Sequence, residues 1–409
     1  MTFFGFNKKG DDCLLYEEPF EVKALNSNFE LVSLIMYNNL QWTRKFHECG
    51  QFTIVLTGRQ YDKSWKYIYA EARKELGVIS QVNWSKENYI EQTIISGYFL
   101  ENEVNNMLVY PKPKQFLEDT NAKATCLSNQ TSPTWTMQIG DADVVAKKFF
   151  DDFKSITWTN YDFEDVTGNN LVTTTKTLDI SFGSIENGDY HHAEHARNGE
   201  RLGDKIYKIL KPSGASYEII FDYMDHTKVM NFIHGKDLRE DNTEGNNPVV
   251  FTSANGNIIS ASLVVSNTDT KDAVISYTSS EDNVLVLINK KSDSIGRFTK
   301  NGLTTSLDDY FADKDNPTAA EDKNFKLAVM ANSEEVVKNY EDKQNIEFKI
   351  YRGSYKYMED YDLGDLISIE INEIGLSVDA RIVACYEVVK KGVWELTLEI
   401  GTPLRVNYI

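Results

Sequence analysis

Trp42-Thr-Arg44-Lys-Phe46, followed by Gly50-Gln-Phe52-Thr-Ile54-Val-Leu56, is the stretch whose reading decides the fold. In both halves large side chains recur at every second position, the period of a strand with one face turned to a core. The short polar interval between them makes the two halves a strand pair. Gly50 is predicted to give the positive φ that a bulge or tight turn requires there.

Outward from this pair the N-terminal part stays β-rich. Phe20 to Leu25 and Phe29 to Ile35 flank Asn26-Ser-Asn28, a polar turn of the type that strands use. Residues 62–76 carry two conflicting signals. Trp65, Ile68, Tyr69, Ala72 and Leu76 follow helical spacing, whereas Tyr67-Ile-Tyr69 before Gly77-Val-Ile reads as a hairpin, and the hairpin is the expectation carried forward. Tyr89 to Ser96 reads as a strand ended by Gly97, and a short helix is expected from Tyr98 to about Leu108.

Pro111-Lys-Pro113 opens a polar stretch to about Pro133 that reads as a linker or exposed loop. The character then changes. Asp143 to Lys154 is predicted helical, with Val144, Val145, Phe149 and Phe153 near one stripe, and a strand is expected at Leu178 to Phe182. A second helix is predicted from about Gly199 to Lys211, with Leu202, Ile206, Ile209 and Leu210 together and Pro212-Ser-Gly214 as its stop. From Ser216 onward strands return: Ser216 to Phe221, Lys228 to Phe232, Pro248 to Phe251, Ile258 to Val265, Asp272 to Tyr277, and a closing sheet from Ile346 to Ile409. An acidic, turn-rich stretch at Asp308 to Asp322 and a helix from about Phe325 to Tyr340 interrupt them. The expected organisation is a β domain over 1–112, a mixed α/β insert over 113–213, and a second β domain over 214–409 carrying the helix at about 325–340.

With 409 residues, 41% hydrophobic and 26% charged, the chain can bury several cores. Its 22 Tyr and 21 Phe suit half-buried strands and broad contact surfaces. A net charge of -19, from 62 acidic against 43 basic residues, disfavours sequence-specific nucleic-acid binding, and solubility is sufficient reason for it. Cys13, Cys49, Cys126 and Cys385 lack metal or disulfide spacing. The charges at Lys8, Lys9, Asp11 and Asp12 interrupt the apolar start, and no stretch reaches membrane-span length, so folding in a bacterial cytoplasm is expected.

Three constellations invite a chemical reading. His191-His192-Ala193-Glu194-His195 has the H-x-x-E-H spacing of one metalloprotease class, where a helix presents both histidines to zinc. Here Gly188 precedes it and Gly199 follows closely, so a solvated loop, with at most adventitious metal binding, is the expectation. Asp360, Asp362 and Asp365 resemble a small calcium loop but lack the bidentate glutamate at the EF-hand offset, and a turn around Gly364 accounts for them. Trp42, Arg44 and Phe46 share a strand face that suits a sugar, yet strand periodicity favours core packing with Arg44 at the rim, and core packing is the expectation. No catalytic, cofactor-binding or metal residue is assigned from the sequence, and no cofactor is called for.

The order of the pieces resembles the hub proteins, or tail-associated proteins, of long-tailed phages and phage-tail-like particles of Gram-positive bacteria. The resemblance rests on Trp42 to Leu56, on Gly77-Val-Ile79 with the strand to Gly97, and on Asn247-Pro-Val-Val-Phe251 with Gly256-Asn257-Ile. It also rests on Tyr361-Asp-Leu-Gly-Asp365, Ala380-Arg-Ile382, Leu396-Thr-Leu398 and Gly401. Met107-Leu-Val-Tyr110-Pro111 departs from it, because the family commonly carries an arginine pair after the short helix. No C-terminal extension that could hold a lysin is expected beyond the final sheet. The resemblance implies a mainly β fold with two tail-tube-like β-barrel domains bracketing the insert, and no enzymatic activity. It implies a homotrimer that adapts a six-fold tail tube to a three-fold tip, with the tube or distal tail protein, the spike or tip protein and the tape-measure protein as partners. A carbohydrate-recognising tail protein is the alternative, and a cell-wall hydrolase a third reading.

Overall fold

The structure, a computed structural model, describes residues 21–109, 126–127, 138–161, 171–185, 191–194, 199–266, 271–279, 284–290, 297–302, 318–321, 343–351, 355–390, 392–401 and 405–408, with the single positions 323, 326 and 333. In the first segment the strands are β1 (Val22–Leu25), β2 (Leu31–Leu34), β3 (Asn39–Lys45), β4 (Gln51–Thr57), β5 (Tyr67–Ala70), β6 (Leu76–Glu87) and β7 (Ile90–Phe99). Helix α1 (Glu101–Asn105) and strand β8 (Leu108–Val109) follow. The middle holds β9 (Cys126–Leu127), β10 (Gln138–Asp141), α2 (Ala142–Phe153), β11 (Ser155–Tyr161), β12 (Leu171–Thr177), β13 (Ser181–Ile185), β14 (His191–Glu194), β15 (Glu200–Arg201) and α3 (Leu202–Leu210). The remainder comprises β16 (Ser216–Asp222), β17 (Thr227–Ile233), β18 (Val250–Thr252), β19 (Ile258–Ser266), β20 (Ala273–Ser279), β21 (Val284–Lys290), β22 (Phe298–Gly302), β23 (Lys343–Ile350), β24 (Leu366–Ile371), β25 (Leu376–Lys390), β26 (Val393–Ile400) and β27 (Arg405–Tyr408). The fold is mainly β with a few helices.

One 14-stranded sheet organises the chain, in the order β19-β23-β26-β25-β3-β4-β7-β6-β5-β1-β2, with β18, β24 and β27 off this path. Its decisive junction is β25 against β3, antiparallel from Ala384↔Lys45 to Lys390↔Asn39, which joins the two β-rich ends of the sequence edge to edge. Alternation explains which side chains go inside. Leu40, Trp42 and Arg44 of β3 and Phe52, Ile54 and Leu56 of β4 are buried while their neighbours are not. Trp42, Phe52 and Phe99 meet in one aromatic cluster, Trp42 and Phe99 having ring centroids 4.6 Å apart.

A second core gathers the middle of the chain. Val145, Phe149, Phe150 and Phe153 of α2 and Leu202, Ile206, Ile209 and Leu210 of α3 pack with Ile219, Met230 and Phe232 of β16 and β17, and reach Leu25 and Leu76 of the first segment. A third core fills the space among β18, β23, β24, β25 and β26. Helix α3 ends as its sequence predicts, with Gly214 at φ +74° after Pro212 and Ser213.

Residues 67–78 form the hairpin rather than the helix, Tyr67 pairing with Val78 and Tyr69 with Leu76. Several expectations need correction. Gly50 does not have positive φ; it is glycine because a β-carbon there would lie 2.5 Å from both the Phe99 ring and the Thr43 carbonyl. Gly97 does not end its strand but sits inside β7, where a β-carbon would collide with the Val78 carbonyl and the Phe52 ring. The helix after it is only five residues long. Val144 is exposed, because it faces away from the stripe formed by Val145, Phe149 and Phe153. Strand Leu178 to Phe182 is shifted: β12 stops at Thr177, β13 starts at Ser181, and Leu178 and Ile180 are buried between them.

The stretch read as a linker to Pro133 lies outside the described residues except for β9. The acidic stretch at 308–322 lies outside them except for residues 318–321, of which 319–321 are helical. The helix expected at 325–340 lies outside them except for Lys326 and Ser333, both helical.

Candidate functional site: a buried charge network across the sheet junction

Strand alternation places Arg44 on the same face as Trp42, pointing under the β3–β25 junction, where only 4% of it remains exposed. Two sequence-distant segments converge on it, and a third is tied in through Lys74. The turn between β5 and β6 brings Glu75, which accepts from Arg44 Nε and from Trp42 Nε1. The segment before β24 brings Tyr357 and Asp362, which accept from Arg44 through Tyr357 Oη at 2.8 Å and Asp362 Oδ1 at 2.5 Å. Lys74 links Asp362 at 3.4 Å to Glu218 of β16 at 3.7 Å.

Beside this centre, Arg73 forms a two-point ion pair with Glu387 of β25, a residue 1% exposed, and Trp394 Nε1 donates to the same carboxylate at 3.0 Å. On the other flank, Arg381 donates to the carbonyls of His234 and Gly364 and lies over the Phe46 ring, 5.4 Å from its centroid. Gly364 turns at φ +95°, and a β-carbon there would strike Phe46. The glycine is therefore fixed by both conformation and space.

The electrostatics follow from burial and pairing. Burial works against the charged form of Asp362, but Arg44 and then Lys74 outweigh it and hold its carboxyl below the usual range. Burial likewise opposes the Arg44 cation, and Glu75, Tyr357 and Asp362 more than compensate, so Arg44 stays charged. Glu101 behaves differently. Burial pushes its carboxyl up to about 8, with Glu75 and Glu218 adding to the shift, so it is neutral at pH 7. Its Oε1 accepts from the Ile219 amide at 3.4 Å and its Oε2 has no partner. The network thus joins the first segment (Arg44, Arg73, Lys74, Glu75) to β16 (Glu218) and to the last segment (Tyr357, Asp362, Glu387). Its charges are directed at one another and it orients the segments it joins.

The constellations singled out in the sequence meet different fates. Trp42, Arg44 and Phe46 are all buried, so they present no sugar-binding face, and Arg44 sits at the centre of the network and not at a rim. Asp360, Asp362 and Asp365 are brought close but face different partners: Asp360 takes the Lys356 amide at 2.8 Å, and Asp365 takes the amides of Asp362 and Lys236, each at 2.7 Å. Residues 191–194 form strand β14 paired with β10, Asp141↔His191 to Gln138↔Glu194, in place of the loop expected and of the helix that H-x-x-E-H chemistry requires. His195 lies outside the described residues. Among the described residues no group of three His, Cys, Asp or Glu is placed to hold a metal ion, and no helix is long and apolar enough to cross a membrane.

Residues 21–402 match the family described as Siphovirus ReqiPepy6 Gp37-like protein. The chain belongs to that family. No curated protein matches it significantly. Among solved structures it is similar to the tail protein from Neisseria meningitidis MC58, with a TM-score of 0.52 at 10% identity, covering 94% of this chain and 96% of that one. It is also similar to the 43 kDa tail protein of prophage MuSo2 from Shewanella oneidensis, with a TM-score of 0.50 at 9% identity, covering 93% of this chain and 97% of that one. At such identities the likeness is one of fold, and it extends over nearly the whole chain. This family member has the fold of phage tail proteins.

Proposed function

We propose that this protein is the structural hub of a phage or phage-tail-like baseplate, without turnover of its own. Three copies form a ring that adapts a six-fold tail tube to a three-fold tip or spike. The observation that carries the reading is the pair of four-stranded blocks within one sheet, β3-β4-β7-β6 and β25-β26-β23-β19, joined edge to edge at β3 and β25. The blocks belong to the two tube-like domains proposed at 1–112 and 214–409, with 113–213 as the insert between them. A chain that supplies two similar blocks gives six positions from three copies, and a closed ring satisfies repeated contacts without leaving open ends. The charge network under the β3–β25 junction fixes the angle between the blocks, as an adaptor requires. The partners on this reading are the tube or distal tail protein on one side and the tip or spike protein on the other, with the tape-measure protein reaching the ring.

Sedimentation of the full chain over a wide concentration range tests the ring. A species of three times the chain mass is expected to grow in with concentration. A stable dimer or hexamer contradicts the proposal.

A further inference from the structure

We propose that the ring is closed by strand pairing between copies, the outer half of β6 in one copy lying antiparallel against β19 of the next. The proposal rests on the ring reading and names the contact that makes it. Strand β19 is the end of the sheet path: it pairs with β23 on one side and, among the described residues, with no strand on the other. Its nine residues, Ile-Ile-Ser-Ala-Ser-Leu-Val-Val-Ser, contain no charge and no proline, and Ile259, Leu263 and Val264 are 60%, 38% and 56% exposed. Monomeric proteins protect edge strands with charge, proline or bulges. Here the one irregularity is a register shift at the start of the strand, between Ile258 and Ser260; residues 260–266 continue without a further shift, charge or proline, and that run is built to be paired.

A matching edge lies at the far side of the same sheet. Strand β5 pairs with β6 only through Leu76, Gly77 and Val78. A register shift between Ile79 and Gln81 then carries residues 81–87 onward, paired with β7 alone among the described residues. This outer hairpin is exposed on both faces, with Trp84 at 52% and, at its tip, Tyr89 at 97% and Ile90 at 71%.

Strand direction decides between this edge and the other candidate, the exposed β2 with Leu31 and Leu34. Every step of the path is antiparallel. From β19 to β6 there are eight strands, so β6 runs opposite to its own β19 and, in a ring, opposite to the β19 of the next copy. The junction is then antiparallel like all the others. From β19 to β2 there are eleven strands, which would force a lone parallel junction through a four-residue strand. Each copy thus supplies one half of a junction at either end, the heterologous arrangement that closes rings.

The test uses two full-length single-substitution chains. Asn83→Cys chains are mixed with Ser262→Cys chains under mild oxidation, and Ser260→Cys and Val264→Cys chains cover the neighbouring registers. All four positions are exposed, so the variants are expected to unfold at the temperature of the unsubstituted chain, which also controls for the native thiols. Disulfide-linked pairs are expected only in the mixtures, strongest in one register. In addition, Leu263→Lys is expected to lower the oligomer population at least tenfold. Trimers that sediment normally but give no mixed disulfide in any register overturn the proposal and leave the ring intact, as do disulfides formed by one variant alone. A chain that stays monomeric throughout and never cross-links overturns both.

Discussion

Replacing Arg44 with Met removes the cation while keeping much of its bulk, and leaves Glu75 and Asp362 facing each other's charge beneath the junction. Breaking a buried ion pair by deleting one partner costs about 3–5 kcal/mol, because the remaining charge is desolvated and unpaired. Glu75 is nearly as buried as Arg44, whereas the Asp362 side chain is 24% exposed and keeps Lys74. Most of the loss therefore falls on Glu75, and a cost of about 3 kcal/mol is expected. Thermal unfolding reads this as a drop of several degrees in Tm. The companion variant Arg44→Met with Glu75→Leu removes the stranded charge as well and is expected to recover at least half of that drop. An unchanged Tm in Arg44→Met, or a double variant no better than the single one, would refute the claim that this network holds the junction.

Three further outcomes are expected. Glu101 has a folded-state pKa of about 8, above its unfolded value, so its contribution is fully present below about pH 4.5 and is lost as pH rises toward 8; urea unfolding across that window is expected to lose less stability in Glu101→Gln than in the unsubstituted chain. Gly364→Ala combines positive φ with a clash against Phe46 and is expected to cost at least about 2 kcal/mol in the same assay, where a neutral result would show the turn to be freely adjustable. Trp42→Ala, emptying a fully buried site against Phe52 and Phe99, is expected to cost about 3–5 kcal/mol by thermal unfolding; a cost under about 1 kcal/mol would return Trp42 to the surface.

Where the sequence was readable, the reason is local. Trp42, Phe52 and Ile54 alternate with polar neighbours, and alternation is a property of a few adjacent residues that tertiary packing here only confirms. Residues 65–76 show the opposite case. Their helical spacing was coincidental, and the alternation of buried Ile68 and Ala70 with half-buried Tyr67 and Tyr69 was the true signal. The role of Arg44 was out of reach. Its face was legible, but its partners Tyr357 and Asp362 lie 313 and 318 residues away, so nothing local distinguishes a buried arginine from one at a rim. Glycines misled for a similar reason. At Gly50 and Gly97 the constraint is a neighbouring backbone or ring brought in by the sheet, which a φ-based reading of glycine does not see. His191 to Glu194 carried a spacing whose meaning depends on a helix, and the backbone there is a strand.

A reconstruction of the particle that contains this chain tests the central claim most directly. The account predicts three copies in one ring at the tube end, each placing its two four-stranded blocks at adjacent positions of a six-fold-like wall. One copy on the axis, or six equivalent copies, would contradict it.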